Sequence, residues 1–87
     1  MYPYVVEFLG TALLLAAVAF SGNPAMILAA LGVAIGLGGK ISGGHFNPAI
    51  SFWAYMTGKL SGTETTYYIV AQYAAGLLVA LLYNAGF

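Results

Sequence analysis

The chain has 87 residues, of which 62% are hydrophobic and only 5% are charged, and its formal net charge is zero. A soluble domain carries roughly a quarter charged residues, so this composition excludes an ordinary soluble domain and predicts an integral membrane protein. Two Lys, two acidic residues, one His and no Cys also exclude a nucleic-acid-binding patch, disulfides, a metal or cofactor site and a catalytic triad, so an enzyme is not expected.

The first predicted element is an apolar helix from about residue 4 to residue 20. Pro3 suits the first turn of such a helix. Ala17-Val18-Ala19 resembles the cleavage site of a signal peptide, but no Lys or Arg precedes the apolar region and Glu7 lies inside it. We therefore expect a retained membrane helix.

The second predicted helix runs from about residue 24 to residue 38 and follows the pair Asn23-Pro24. Asn is a strong N-cap and Pro is preferred at the first helical position, so this pair predicts a helix start at the membrane surface. Gly32 and Gly36 are four residues apart and share one face of the helix, which predicts close packing against another helix.

Residues 39–57 do not fit a spanning helix. The segment from Gly38 to Phe46 reads GGKISGGHF and is too rich in glycine for a helix interior. The helix that follows, from Pro48 to about Thr57, has half the length that a membrane requires. Irregular backbone at membrane depth is tolerated only where protein buries it or where it lines a watery cavity. These residues therefore predict a re-entrant loop and half-helix.

The third spanning helix is predicted from about residue 63 to residue 83. A polar turn precedes it, in which Thr63 is the candidate N-cap and Glu64 suits the positive end of the helix. Tyrosines near the helix ends are typical of an interfacial aromatic belt: Tyr2, Tyr4, Tyr67, Tyr68 and Tyr83. The fold class predicted is all-α, with three transmembrane helices and one re-entrant half-helix.

The triplet Asn-Pro-Ala occurs twice, and the two copies predict different roles. Asn23 is explained as a cap between two spanning helices. Asn47 would start the half-helix near the middle of the membrane, where the helix dipole places partial positive charge. Its carbonyl oxygen can cap the helix while its amide NH2 stays free to donate to water or to a solute hydroxyl.

The segment from Gly39 to Ser51, GKISGGHFNPAIS, resembles the first re-entrant loop of the aquaporin (major intrinsic protein) family, whose pattern is close to GHISGxHxNPAV. EFLGT from Glu7 and YIVAQ from Tyr68 resemble the first and third helices of that family, so the resemblance covers nearly the whole chain. It implies six spanning helices and two half-helices in two inverted repeats. Residues 1–87 would supply one repeat, and an inverted second chain would complete the fold.

The resemblance also implies roles for particular residues. The pore-lining residues would be Asn47, Gly43, Gly44, His45, Ala49, Ile50, Ile27 and Ile35. The residues that support the loop would be Glu7, Gln72 and Pro48. The backbone carbonyls of the glycines and of His45 would face the pore, and the His45 side chain would hold the loop. The alternative for Glu7 is a carboxylate that extends to the membrane interface.

Three positions depart from the family pattern. Lys40 replaces a His, and Ala75 replaces a Gly in the third helix. The chain has no Arg, so Ile50 stands where the second repeat of the family places its filter Arg. With Gly44, Ile27 and Ile35, Ile50 would form an apolar and fairly open mouth.

The function implied is a passive channel for water and for small uncharged solutes such as glycerol, formed between two antiparallel copies in the lipid bilayer. Four pores, and therefore eight chains, would cluster as in the family. Three alternatives remain open. They are a non-conducting structural or regulatory membrane protein, a half that pairs with a different partner chain, and a dual-topology transporter of the small multidrug type. The transporter would need Glu7 in an open substrate chamber.

Overall fold

A computed structural model describes residues 2–87. In chain order, α1 is Tyr2–Ala16, α2 is Pro24–Ser42, α3 is Pro48–Met56 and α4 is Gly62–Asn84. A short π-helical turn, Ala17–Ser21, continues α1. These described residues contain no β-strand.

Three of the helices are long and apolar enough to cross a membrane: Tyr2–Ser21, Pro24–Ser42 and Gly62–Asn84. The nine residues of α3 make a helix of about 14 Å, which is too short to span. The predicted fold class, an all-α membrane protein with three spanning helices and one half-helix, is therefore confirmed.

The first helix, α1, is central in the fold because it packs against both α2 and α4. Aromatic pairs join α1 and its π-helical turn to α4 at both ends, since the Tyr4 and Tyr67 ring centroids are 5.2 Å apart and those of Phe20 and Tyr83 are 5.9 Å apart. These two helices therefore run parallel, and α2 runs antiparallel to them. α3 packs against α4.

Polar side chains occupy the interior, and most large apolar side chains face outward. Leu9, Leu37 and Leu77, for example, are exposed on three different helices. A chain in water would show the opposite distribution, so this one is suited to lipid. The buried polar residues are Glu7, Thr11, Ser42, Ser51, Thr65 and Gln72.

The second helix is longer than the sequence predicts, because it continues to Ser42 instead of ending near Gly38. Glycine lowers helix propensity, but packing against neighbouring elements overrides that preference here. A Cβ on Gly38 would clash with Val6, so this glycine allows α1 and α2 to approach closely. The helix stops at Gly43, which has a left-handed φ of 90°.

The prediction of Thr63 as N-cap of the last helix is wrong, because α4 begins earlier and its cap is Ser61. The Ser61 hydroxyl accepts from the Glu64 N–H at 3.1 Å, and the Glu64 carboxylate accepts from the Ser61 N–H at 2.9 Å. This reciprocal pair is a capping box, which satisfies two backbone donors where Thr63 would satisfy one.

Phe46 is a large apolar side chain of the interior, 3% exposed, and it lies against Gly10 of α1. A Cβ on Gly10 would lie 2.6 Å from Phe46 Cδ1. We expect Gly10→Ala to destabilise the fold by about 1–3 kcal/mol, the usual cost of overpacking a tight interior. The midpoint of unfolding in sodium dodecyl sulphate, followed by circular dichroism, measures this loss.

Gly76→Ala is the matched control, because the added Cβ would lie 3.7 Å from Leu15 Cδ1, an ordinary contact. This substitution should be neutral or stabilising, since Ala favours a helix over Gly by up to about 1 kcal/mol. Equal unfolding midpoints for the two variants would contradict the tight contact between Gly10 and Phe46.

Candidate functional site

The loop that joins α2 to α3 consists of Gly43–Asn47 and lies at the level of the middle of α1. Its neighbour there is Gly10, which contacts Phe46. The loop turns sharply, with positive φ values of 90° at Gly43, 66° at Gly44 and 52° at Phe46. Positive φ is unfavourable for a bulky residue such as Phe46, so surrounding contacts must hold the loop in this shape.

Four of the five backbone N–H groups of the loop donate into the protein, and the first of them, of Gly43, donates to the Gly39 carbonyl at 2.8 Å. The Gly44 N–H donates to Ser42 Oγ at 3.1 Å. The next two amides donate to one carboxylate, with His45 N 3.0 Å from Glu7 Oε2 and Phe46 N 2.7 Å from Glu7 Oε1. Glu7 therefore holds two successive residues of the loop, including Phe46 with its positive φ.

Two side chains complete the set of donors around the carboxylate of Glu7, which is 0% exposed. Ser42 Oγ donates to Oε2 at 2.7 Å, and Gln72 Nε2 donates to Oε1 at 3.0 Å. These four donors satisfy both carboxylate oxygens, with two hydrogen bonds on each. The buried carboxylate is held by hydrogen bonds, and it does not extend to the membrane interface.

A second set of hydrogen bonds ties the half-helix α3 to the same carboxylate. Gln72 Nε2 also donates to Ser51 Oγ at 2.8 Å, and Ser51 Oγ lies 2.9 Å from His45 Nδ1. The Ser51 hydroxyl therefore connects α3 to both the Gln72 amide and the His45 ring. The His45 ring also packs against Tyr68, with centroids 5.0 Å apart.

The carbonyl groups of the loop show the opposite behaviour to its N–H groups. Those of Gly43, Gly44 and His45 accept no hydrogen bond from any residue in the described range 2–87. These three residues are exposed or half-buried. The loop thus binds four of its five N–H groups inside the protein and leaves three successive acceptors free for a partner outside the chain.

Asn47 and Asn23 both cap a helix, and the structure places them at different depths. Asn23 Oδ1 accepts from the N–H groups of Ala25 and Met26 at 2.9 and 3.2 Å, between the ends of two spanning helices. Asn47 Oδ1 accepts from the Ala49 N–H at 2.8 Å, beside the middle of α1. Asn47 is exposed, and its Nδ2 has no acceptor among the residues that the structure describes.

The other predicted site residues are distributed around this loop. Pro48 is the first residue of α3, and Ala49 and Ile50 are exposed on its first turn. Ile35 borders the loop, because a Cβ on Gly44 would lie 3.4 Å from Ile35 Cγ1. Ile27 is half-buried near the other end of α2.

Sequence reasoning missed four residues that shape the site. Ser42, Ser51 and Phe46 make the contacts described above, and the Tyr68 hydroxyl donates to the Ser42 carbonyl at 2.7 Å. Two serines inside apolar helices are a usable sign of a buried hydrogen-bond network. No sequence pattern marks Phe46 as a residue of the site, although the glycines that make room for its ring are present in the sequence.

Two buried polar atoms have no hydrogen-bond partner within residues 2–87, namely Thr11 Oγ1 and Gln72 Oε1. Both belong to residues next to Glu7, either in contact with it or one helical turn away. Over the same residues, no group of three His, Asp or Glu side chains is arranged to hold a metal ion.

The chain is similar to a known protein family and to several curated proteins. The profile of the family described as "Major intrinsic protein" matches residues 2–86. A glycerol uptake facilitator protein-like 6 from Lactiplantibacillus plantarum is 36% identical over 93 aligned positions, which cover 92% of this chain and 41% of that protein.

Plant proteins match over a shorter part of the chain. A probable aquaporin TIP1-2 from Oryza sativa subsp. japonica is 43% identical over 53 residues, which is 61% of this chain and 21% of that protein. A probable aquaporin TIP-type alpha from Phaseolus vulgaris is 38% identical over 69 residues, 74% of this chain and 27% of that protein. The chain thus spans less than half the length of these relatives. No solved structure matches it significantly.

Proposed function

This chain belongs to the major intrinsic protein family, and we propose on that premise that it forms a passive membrane channel for water and small uncharged solutes such as glycerol. The pore would lie between two antiparallel copies of the chain. The observation that carries the proposal is the polarity of the loop Gly43–Asn47. The N–H groups of Gly44, His45 and Phe46 bond inward to Ser42 and Glu7, while the free carbonyls and the side-chain amide of Asn47 are left for a solute.

The free groups suit a neutral molecule that both donates and accepts hydrogen bonds. In bulk solution, the O–H groups of water or of a solute donate to surrounding water molecules. In the pore, the carbonyls of Gly43, Gly44 and His45 would accept these hydrogen bonds instead. The Asn47 NH2 would supply a donor at the level of the middle of α1. Because Glu7 is buried and both of its oxygens are already fully bonded, it shapes the loop without contacting the path of a solute.

The helix dipole supports selection against cations. α3 begins beside the middle of the spanning helices, and a helix N-terminus is equivalent to about half a positive elementary charge. Two copies approaching from opposite sides would place roughly one positive charge at the midplane. Protons and metal cations would be repelled there, whereas neutral solutes would not.

A second copy is proposed because one chain cannot enclose the loop. Asn47, Ala49 and Ile50 are exposed in the single chain, although α3 begins at the level of the middle of α1. Polar backbone at membrane depth must be covered by protein or face water. An inverted copy would cover it.

The mouth residues favour an open and apolar filter. Gly44, Ile50, Ile27 and Ile35 would occupy the filter positions, and the chain contains no Arg. Glycerol is wider than water and carries an apolar carbon backbone, so such a mouth admits it. The name of the Lactiplantibacillus relative, a glycerol uptake facilitator protein-like 6, points in the same direction.

The geometry disfavours the transporter alternative. A transporter of the small multidrug type needs a carboxylate in an open chamber that can bind and release protons. Glu7 is 0% exposed, and each of its oxygens accepts two hydrogen bonds. The other alternative is a structural protein that does not conduct. Permeability measurements would detect it, because vesicles that contain it would be no more permeable than empty vesicles.

The direct test is stopped-flow light scattering of proteoliposomes made from the purified chain. After an osmotic step, vesicles with protein should shrink faster than empty vesicles, with a low activation energy. Glycerol entry should also be accelerated, while a pH-sensitive dye inside the vesicles should report no added proton flux. Shrinkage at the rate of empty vesicles would contradict the channel and would favour the non-conducting structural protein.

Insertion in both orientations is a separate expectation of the antiparallel pore. Lys40 and Lys59 would both lie on the N-terminal side of the membrane, which is a weak preference for one orientation. A cysteine tag at the N-terminus should react with a membrane-impermeant reagent in about half of the molecules in intact cells. Labelling of all molecules or of none, combined with normal permeability, would contradict pairing between inverted copies.

A further inference from the structure

The peptide planes of the loop explain why its carbonyls face outward. No peptide bond in the described range 2–87 is cis, and in a trans peptide the N–H of one residue and the carbonyl of the residue before it point in opposite directions. The N–H groups of Gly44, His45 and Phe46 point inward, to the buried side chains described above. The carbonyls of Gly43, Gly44 and His45 therefore point outward, and the position of the loop backbone sets how far they project.

The Phe46 ring holds the loop from the side opposite to these carbonyls. It is 3% exposed and occupies a space that glycines of three different elements leave open. A Cβ on Gly10 of α1 would lie 2.6 Å from Phe46 Cδ1, and one on Gly38 of α2 would lie 3.9 Å from Cζ. A Cβ on Gly44 of the loop would lie 3.6 Å from Cε2. The ring is therefore a spacer between α1 and the loop backbone.

The backbone of Phe46 is fixed as firmly as its ring. Its φ of 52° is unfavourable for a bulky residue, and its N–H donates to Glu7 at 2.7 Å. The residues on either side of it carry groups that the proposed pore uses, namely the carbonyl of His45 and the side-chain amide of Asn47. A displacement of the Phe46 ring would therefore move both of these groups.

From this arrangement we infer that Phe46 is a positioning residue that sets solute selectivity. The size of its ring against Gly10 determines how far the loop carbonyls project into the solute path, and so how well the pore separates glycerol from water. This role rests on the proposed function, since it needs a path for solute. The ring itself touches no solute because it is buried. It acts through the backbone, since close-packed interiors transmit small displacements instead of absorbing them.

Two substitutions at this contact should change selectivity in opposite directions. Gly10→Ala adds a Cβ that displaces the ring away from α1, so the carbonyls project further and the path narrows. Phe46→Leu replaces the ring by a smaller side chain, so the loop settles toward α1 and the path widens. We expect the ratio of glycerol to water permeability to fall in the first variant and to rise in the second. Each change should be at least about twofold, which is less than one methylene changes in a fitted site.

Stopped-flow light scattering of one batch of proteoliposomes gives both permeabilities, after the rates of empty vesicles are subtracted. The ratio does not depend on how many chains fold, because lost pores lower both permeabilities equally. A purely structural contact would leave the ratio unchanged, even though Gly10→Ala destabilises the fold. The double variant, Gly10→Ala with Phe46→Leu, combines added with removed volume and should bring the ratio back toward that of the unmodified chain. If Gly10→Ala does not fold, Phe46→Leu decides alone, by a higher ratio or an unchanged one.

Phe20→Leu and Gly76→Ala are the matched controls, because they make the same chemical changes away from the loop. Phe20 is exposed on the π-helical turn that follows α1. A Cβ on Gly76 would make an ordinary contact of 3.7 Å with Leu15 Cδ1. Neither substitution should change the permeability ratio. Equal changes of the ratio in the controls and in the loop variants would overturn the assignment of selectivity to Phe46.

A spectroscopic readout separates this inference from the proposed function. Isotope-labelled backbone carbonyl carbons of Gly44 and His45 report the loop by solid-state nuclear magnetic resonance in lipid, whether or not the chain conducts. Their chemical shifts should change in Phe46→Leu and in Gly10→Ala, and return toward the original values in the double variant. Unchanged chemical shifts, or a constant permeability ratio in a chain that conducts, would overturn the inference. If the chemical shifts change as expected but the unmodified chain does not conduct, the channel function fails, whereas the control of the loop by Phe46 stands.

Discussion

Glu7→Gln is expected to abolish permeability and to destabilise the fold by about 2–6 kcal/mol, at about 1–3 kcal/mol for each donor left without an acceptor. The carboxylate accepts four hydrogen bonds, from Ser42, His45, Phe46 and Gln72. A glutamine offers one carbonyl oxygen, and its NH2 group would face two of these donors. The loop Gly43–Asn47 would therefore lose its shape.

Glu64→Gln is the matched control, since it removes the only other carboxylate side chain and occurs near the start of α4. A glutamine can replace glutamate in a capping box, so this variant should keep its unfolding midpoint and its permeability. Shrinkage rates of proteoliposomes and the midpoint of unfolding in sodium dodecyl sulphate give both quantities. A Glu7→Gln protein that conducts like the unmodified chain would refute the role of the carboxylate in holding the loop.

The same substitution at the two asparagines should have different results. Serine is as good an N-cap as asparagine, so Asn23→Ser and Asn47→Ser should both keep their helices. Only Asn47→Ser also removes an amide donor that the proposed pore uses. We expect its permeability to water to fall by about 2–10-fold, the equivalent of one hydrogen bond of about 0.5–1.5 kcal/mol, and that of Asn23→Ser to remain unchanged.

Asn47→Ala extends the comparison, because it removes the cap as well as the donor. It should add a loss of stability of about 0.5–2 kcal/mol to the loss of permeability. Osmotic shrinkage of the three variants, at equal amounts of reconstituted protein, measures the differences. Equal permeabilities for Asn23→Ser and Asn47→Ser would show that the two Asn-Pro-Ala triplets do the same work.

The sequence alone was sufficient for the class of protein and for the local features of its helices. A composition with 62% hydrophobic and 5% charged residues determines the solvent, because no arrangement of such a chain can cover itself with polar groups. Asn23-Pro24 and Asn47-Pro48 predict two helix starts, since capping depends on residues adjacent in sequence. The motif around Asn47 also identified the family, which the match over residues 2–86 confirms.

The tertiary structure decided what depends on residues far apart in the sequence. Glu7 bonds to Phe46 and Gln72, and no local pattern predicts which donors a buried carboxylate will meet. α2 extends to Ser42 through glycines that propensity would exclude, because packing outweighs intrinsic helix preference. Gly32 and Gly36 were predicted to pack closely, but only the fold shows that they face outward, since a helical face becomes internal or external when its neighbours are placed.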